Sequence, residues 1–375
     1  MVGSGHSGLP EDVVFEILLK LPVTSICRFK CVCRYWYDVI KRHVFKEQHY
    51  ALQQNSTLLA VEYSGAANIF SDKFLRTKEN LRMSLWGSCI TGPCRGLFLL
   101  HTVITPGANL GLLNPATSAF RLLPRSPCAV IHYSFEFYAY GLGWDSTRND
   151  YKVVFILFKR QIALVYSLNN DSWRFLDSPL PLELSGRSCL TTYPQHNIYT
   201  NGFCYWLPYA KNASLLFCFN MAQENFVTIA LPPIVINNRD TIVISTYYDS
   251  LAFLAWNEER EVIEVWVLQQ EQHYWTKVYN FGQIDPTVCP IGIWNNTYVL
   301  LRKCVSRGSK KLLAYDMKND RYEEKINTHI LDPRKVMCFL NYKKSLFLIQ
   351  GGSKNWTPSV LSSNHIPHFF RHTLY

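Results

Sequence analysis

Two hydrophobic periodicities divide the chain. From residue 9 to about residue 40, apolar side chains recur every three or four positions, as in Val13, Val14, Ile17, Leu18 and Leu21. That spacing predicts an amphipathic helix. Leu9-Pro10-Glu11-Asp12 opens it, because proline suits the first helical position and acids in the first turn complement the helix dipole. Pro22 ends it. Thr24 is the expected N-cap of a second helix carrying Ile26, Phe29 and Val32, and a third helix carries Tyr35, Trp36, Val39 and Ile40. A unit this short is near the lower limit for independent stability. It also holds more apolar side chains than its own core can bury, so it is expected to dock on something.

From about residue 56 the helical period gives way to short apolar runs separated by turn residues, the mark of strands. One unit repeats. It is a strand, a polar turn and an aromatic that opens the return strand, as in Leu110-Gly-Leu-Leu-Asn-Pro-Ala-Thr-Ser-Ala-Phe120 and Ala163-Leu-Val-Tyr-Ser-Leu-Asn-Asn-Asp-Ser-Trp173. The aromatics fall at Phe120, Trp173, Phe226, Trp275 and Tyr322, in steps of 53, 53, 49 and 47. Spacing of about fifty residues is that of kelch-type propeller blades. A second class of hairpin lies between these, at Gly92–Leu100, Tyr140–Val154, Asn201–Trp206, Tyr248–Leu254, Ile291–Leu300 and Met337–Leu348. Six inner hairpins against five outer ones leave one blade incomplete. Leu58–Tyr63 and the stretch near Asn68–Leu75 are the expected source of its missing strands. The predicted fold is therefore mainly β with a small α domain: three helices, then a kelch-like propeller of six blades. A β-sandwich or an open ring is the alternative. The expected domains are a terminus at 1–8, the helical cap at 9–50, the propeller at 56–350 and a tail at 351–375.

Composition narrows the setting. Hydrophobic residues make up 48% and charged residues 18%, which excludes intrinsic disorder. No apolar run is long enough to span a bilayer, and the first residues lack the pattern of a secretory signal. The twelve cysteines are scattered, most of them in apolar surroundings, and are expected to be reduced. The expected compartment is the cytoplasm, with the nucleus as a second possibility. Residues 301–375 hold 14 Lys and Arg against 5 Asp and Glu, whereas residues 1–300 are nearly balanced at 24 against 23. The cluster Arg302, Lys303, Arg307, Lys310 and Lys311 is expected at a hairpin tip.

The cap residues carry a specific resemblance. Leu9-Pro10, the Ile17-Leu18 and Leu21-Pro22 pairs, Ile26, the Arg28-Phe29 to Val32 run and the closing Trp36 match an F-box in order. The resemblance implies that Leu9, Pro10, Ile17, Leu18, Leu21, Pro22, Ile26, Phe29, Val32 and Trp36 bind the Skp linker subunit of a Skp–cullin–F-box ubiquitin ligase, some of them also holding the cap's own core. The later segments resemble the type 1 F-box-associated domain of plant F-box proteins, through Gly92-Pro-Cys-Arg-Gly, Leu113-Asn-Pro-Ala-Thr, Gly141-Leu-Gly-Trp-Asp and Asn149-Asp-Tyr-Lys-Val-Val154. Gly92-Pro-Cys, Val265-Trp-Val and Tyr274-Trp-Thr-Lys-Val-Tyr279 look most like the S-locus F-box proteins of self-incompatible plants. That finer resemblance implies a protein target held by the propeller, an S-locus ribonuclease in pollen.

Chemistry is not what the residues point to. The sequence lacks a P-loop, a GxSxG elbow and an HExxH helix. His365, His368 and His372 lie in the polar tail, and neither a metal nor a cofactor is expected. A propeller enzyme or a lectin-like binder remains the other class. The acidic run Glu258, Glu259, Glu261 and Glu264 is expected on an exposed hairpin and is the candidate contact for a basic target, since opposite charges attract across an interface. A membrane or nucleic-acid partner is not expected.

Overall fold

The computed structural model describes residues 9–53, 57–62, 66–70, 78–84, 88–102, 107–129, 138–181, 197–208, 214–234, 242–257, 259–270, 273–282, 287–305, 309–323, 336–347 and 349. Four helices come first: α1 Glu11–Leu19, α2 Val23–Phe29, α3 Arg34–Lys41 and α4 His43–Leu52. The pattern predicts three; α4 is the addition, and its buried Phe45 and His49 stand four residues apart on one face. Two start signals also shift, the first by one residue and the second by two. Pro10 and Pro22 are themselves the N-caps of α1 and α2, so Thr24 lies inside α2 rather than capping it. With φ fixed near the helical value and no N–H to satisfy, proline can stand at that boundary without cost to the ladder.

Twenty-four strands follow among the described residues. They are β1 Thr57–Glu62, β2 Ala66–Phe70, β3 Lys78–Ser84, β4 Ser88–Cys94, β5 Leu97–Thr102, β6 Leu110–Asn114, β7 Ala119–Leu122, β8 Tyr138–Asp145, β9 Asp150–Leu157, β10 Ile162–Ser167, β11 Ser172–Phe175, β12 Asn197–Thr200, β13 Phe203–Trp206, β14 Leu215–Asn220, β15 Asn225–Ala230, β16 Ile242–Tyr247, β17 Ser250–Asn257, β18 Val262–Gln269, β19 Tyr274–Gly282, β20 Val288–Trp294, β21 Tyr298–Val305, β22 Ser309–Asp316, β23 Arg321–Glu323 and β24 Val336–Tyr342. They form six four-stranded antiparallel sheets. Five are consecutive: β4–β7, β8–β11, β12–β15, β16–β19 and β20–β23, called blades one to five. The sixth has the order β24-β1-β2-β3, so strands from both ends of the chain build one blade. The ring closes there, in register Leu59↔Leu340 and Ala60↔Phe339, with the Thr57 hydroxyl donating to the Tyr342 carbonyl at 2.7 Å. Closure removes the open sheet edges that a sandwich or an incomplete ring would leave. The Met337–Leu348 hairpin expected from sequence is corrected: among its described residues only β24 forms, and its partner is β1.

The second strand of a blade shows why the chain reads as continuous apolar runs. Every residue of β9 is buried, because both faces of the blade are covered by neighbours. Its alternate side chains serve two different cores. Tyr151, Val153, Phe155 and Leu157 pack with Leu97 and Leu99 of blade one. Val154 and Ile156 pack with Cys204, Trp206 and Phe219 of blade three. The repeated aromatics are the second residue of each outermost strand, and two act as bolts between blades. Trp173 Nε1 donates to the Pro124 carbonyl at 2.8 Å, and Trp275 Nε1 to the Ala230 carbonyl at 2.7 Å. The polar turn before them is held by a side-chain oxygen that accepts a backbone N–H two residues on, as Asn114, Asn220 and Asp316 do.

Candidate functional site

Three surfaces bear on function: the outer face of the cap, its joint with the ring, and the ring face turned away from it. On the cap, the ten residues singled out in the sequence divide by burial. Leu9 is 63% exposed, Ile17 43% and Val32 58%. Pro10 and Pro22 are also exposed, and Leu21, Phe29 and Trp36 are half-buried. Leu18 and Ile26 are fully buried, in a core with Leu19, Val23, Val39, Ile40 and Phe45. The structure thus leaves Leu9, Pro10, Ile17, Pro22 and Val32 free to meet a partner, with Val13 and Val44 exposed in addition. Branched and aliphatic side chains standing in water on so small a unit fit a docking face. His49 fastens α4 to the first turn of the cap: its Nε2 lies 2.8 Å from the Leu21 carbonyl, and burial pushes its pKa down.

The joint centres on Arg95, the first residue of the two-residue turn between β4 and β5. Arg95 and Gly96 both have positive φ, 49° and 81°, as a tight hairpin turn requires. The Arg95 guanidinium lies 4.2 Å over the Trp144 ring and 4.4 Å over the Phe347 ring, and it forms an ion pair with Glu47 of α4. Tyr50, one turn further on, packs on Phe347 at 5.6 Å, and the Lys343 ammonium lies 4.4 Å over the Tyr50 ring. Burial lowers the pKa of Lys343, with Asp249 opposing that shift. The strap 343–347 after β24 completes the contact. Leu346 enters the cap's core, and Asn114 Nδ2 holds the strap through the Ser345 and Phe347 carbonyls at 3.2 and 2.9 Å. The strap comes so near the β4–β5 turn that a Cβ on Gly96 would lie 2.4 Å from Ser345 Oγ. None of Glu47, Tyr50, Arg95 or the strap was legible as a contact in the sequence. The only signal was the Gly92-Pro-Cys-Arg-Gly string itself.

Antiparallel pairing then fixes what the other face carries. The turns after the innermost strands share one side of the ring. Tyr50, Arg95, Asp249, Asn295 and Lys343 line a single cavity of about 220 Å³ in the central channel. The turns between second and third strands therefore lie on the opposite side, away from the cap. Among them are the β9–β10 turn with exposed Lys159 and Arg160 and the β17–β18 turn with exposed Glu259 and Glu261. Glu258 lies outside the described residues. Glu264 is corrected: it is 2% exposed inside β18, where it accepts from Lys277 Nζ at 2.8 Å, Trp266 Nε1 at 3.0 Å and Asn257 Nδ2 at 3.3 Å. Both faces of β18 are covered, so Glu264 lies inside the blade and is not available to a target. Arg307 of the basic cluster and the three tail histidines lie outside the described residues.

Residues 68–349 match the F-box associated beta propeller domain family, and residues 6–48 match the F-box domain. An F-box/kelch-repeat protein of Arabidopsis thaliana is 24% identical over 365 residues, covering 88% of this chain and 94% of its own length. An F-box protein of the same plant is 26% identical over 259 residues, 62% of this chain and 78% of its own. Among solved structures, a chain of a nidogen–laminin complex superposes with a TM-score of 0.46 at 9% identity, over 77% of this chain and 99% of that one.

Proposed function

Since the chain belongs to the family of F-box proteins that carry an F-box-associated β-propeller, we propose that it is the substrate receptor of a Skp–cullin–F-box ubiquitin ligase, docking Skp through the cap and a protein target through the ring face turned away from it. The observation that carries this reading is the cap's unburied apolar face above its own complete core. Leu18 and Ile26 keep the cap folded, while Leu9, Ile17 and Val32 stand outside it. The receptor supplies proximity and no bond-making chemistry: it raises the local concentration of target lysines beside the charged ubiquitin carrier. No helix among the described residues is long and apolar enough to cross a membrane; the cytoplasm or the nucleus is the proposed place of action.

The target is read as a protein because turns can vary in sequence while the strands beneath them stay fixed by packing. An S-locus ribonuclease is the specific target that the resemblance of Gly92-Pro-Cys and Tyr274–Tyr279 to S-locus F-box proteins supports. A basic ribonuclease would meet Glu259 and Glu261 before any other acids of the run.

Ile17→Asp with Val32→Asp tests the docking face without touching the cap's core. Burying an aliphatic side chain contributes about 1.5–3 kcal/mol, and about 1.4 kcal/mol is tenfold in affinity. The pair is expected to weaken Skp binding at least tenfold in calorimetry while the circular dichroism stays that of the parent. Unchanged affinity would exclude this face. Target identity is tested by reconstituting the ligase and offering a panel of secreted-type ribonucleases; if none is ubiquitinated while an unrelated protein is, the ribonuclease is excluded and the receptor reading stands.

A further inference from the structure

We infer that Arg95 is a positioning residue for ubiquitin transfer: it locks α4 to three blades at once, so that cap and ring move as one body and the target face is held at a fixed distance and angle from the ligase. The inference rests on the receptor reading for its consequence, but its geometry stands independently.

Four observations converge. First, the Arg95 side chain is only 14% exposed, and its guanidinium lies over two rings, Trp144 of blade two and Phe347 of the strap. A planar cation over two ring faces is attracted by both quadrupoles, and more strongly where water is excluded. Second, its charge is answered by Glu47 of α4, whose other oxygen lies 3.2 Å from His43 Nε2. One side chain therefore joins blade one, blade two, the strap that follows β24 of blade six, and the cap. Third, the backbone is shaped to present it. The equivalent inner turn of blade three is Asn201-Gly202, with φ 49° and 81°. Asparagine tolerates that left-handed conformation well, whereas a long side chain does so less readily. Blade four places Tyr248 there with φ 43°, so the turn accepts a large side chain, and blade one uses the position to aim an arginine at the joint. Fourth, the surrounding contacts allow little slack. Gly96 abuts Ser345, Asn114 holds the strap, and Tyr50 is gripped between Phe347 and Lys343.

A lysine at 95 would keep the charge and most of the length, but a point charge on a flexible stem cannot lie flat over two rings. The inference thus separates Arg95 from an ordinary ion pair. If Glu47 pairing were the whole of it, lysine would substitute.

The test measures orientation and stability separately. Spin labels are introduced through unnatural amino acids at Gln48 on α4 and Glu259 on the far turn, both exposed, leaving the native cysteines untouched. Pulsed electron paramagnetic resonance then reads the distance distribution in the full chain, free and bound to Skp. The parent is expected to give one narrow distribution in both states. Arg95→Ala and Arg95→Lys are expected to broaden it at least twofold while Skp affinity stays within twofold of the parent. Glu47→Gln, a half-buried and nearly isosteric change on α4, is expected to broaden it less. In the reconstituted ligase, the receptor's own lysines report transfer geometry. The parent is expected to be modified at a restricted set, and Arg95→Lys at a wider one. A distribution as narrow in Arg95→Lys and Glu47→Gln as in the parent would overturn the inference. Failure of all forms to bind Skp would sink the receptor reading instead, and the free-chain distances would still decide the role of Arg95.

Discussion

A buried histidine sits in blade one where the sequence shows only an apolar run. His101 is 2% exposed in β5, with its ring 4.5 Å from that of Tyr140 and its Nε2 3.4 Å from the Thr91 hydroxyl. Burial lowers its pKa from the usual value near 6.5 to about 3. The folded protein therefore keeps it neutral at pH values where the unfolded chain takes up a proton. Stability is complete above about pH 6.5 and falls as pH drops from there towards about 3, by about 1.4 kcal/mol per pH unit at full effect. His49, buried in α4 with its pKa lowered in the same direction, adds to the loss. Asp145 steepens it at lower pH. Burial opposes its charge, but the Lys152 ammonium and the Thr147 and Arg148 donors outweigh that and hold its carboxyl well below the usual range. Its contribution is complete above the usual carboxylate range and is lost progressively as pH falls from there through that depressed value. Urea melts at pH 7, 6, 5 and 4 are expected to show declining stability, and His101→Gln to flatten the decline by about one proton's worth. An equal slope in that variant would mean that His101 titrates normally.

Strands were more legible than the contacts between them. The recurring aromatics at Phe120, Trp173, Phe226, Trp275 and Tyr322 all open outermost strands, because each blade needs the same polar turn and the same covering side chain at the same place. Helix α4 escaped because His43, Lys46, Glu47 and Gln48 make it polar on the side away from Phe45 and His49. Its buried stripe is too narrow to stand out by period. Glu264 was misplaced for a related reason: in a strand covered on both faces, polarity no longer marks the outside. The same holds for Lys152 in β9, which is 2% exposed and meets Asp145 of β8 and Glu224 of blade three, the latter at 2.6 Å. Arg148 and Arg174 sit on the outer sides of the same carboxylates. Breaking one member of a buried charge group costs about 3–5 kcal/mol, because the others are left without a partner. The two arginines soften that here, so Lys152→Met is expected to lower unfolding free energy by about 3 kcal/mol. Asp145 and Glu224 belong to different blades, so the loss is expected at the seam between blades two and three. Hydrogen exchange in β9 and β14 would report it, and unchanged exchange there with a global loss elsewhere would count against a seam role.

The first and the last described strand meet in one blade, and that sets how the molecule can be divided. β24 lies innermost and pairs with β1, and β1 follows the cap after a link of a few residues. Alternate residues of β1 serve both flanking seams. Leu59 and Val61 pack with Ile90 and Phe98 of blade one, whereas Leu58 and Ala60 pack with Ile291 and Trp294 of blade five. Removing the cap and removing the closing strands therefore have different consequences, although the cuts lie only about thirty residues apart. A chain of residues 57–375 keeps all twenty-four strands and loses only the cover over Leu346, Phe347 and Arg95. It is expected to stay closed and monomeric, with a lowered Tm and new dye-binding apolar surface. A chain of residues 85–375 leaves β24 without β1 and strips the seams on both sides of blade six. It then exposes a long inner strand edge able to pair with other chains. Size-exclusion chromatography with light scattering separates the two outcomes. The shorter chain is expected to aggregate while the longer one does not. Monomeric behaviour of both would mean that five blades can close without the N-terminal strands. Aggregation of both would mean that the ring needs the cap as cover, which ties stability of the target-binding body to the same joint that Arg95 holds.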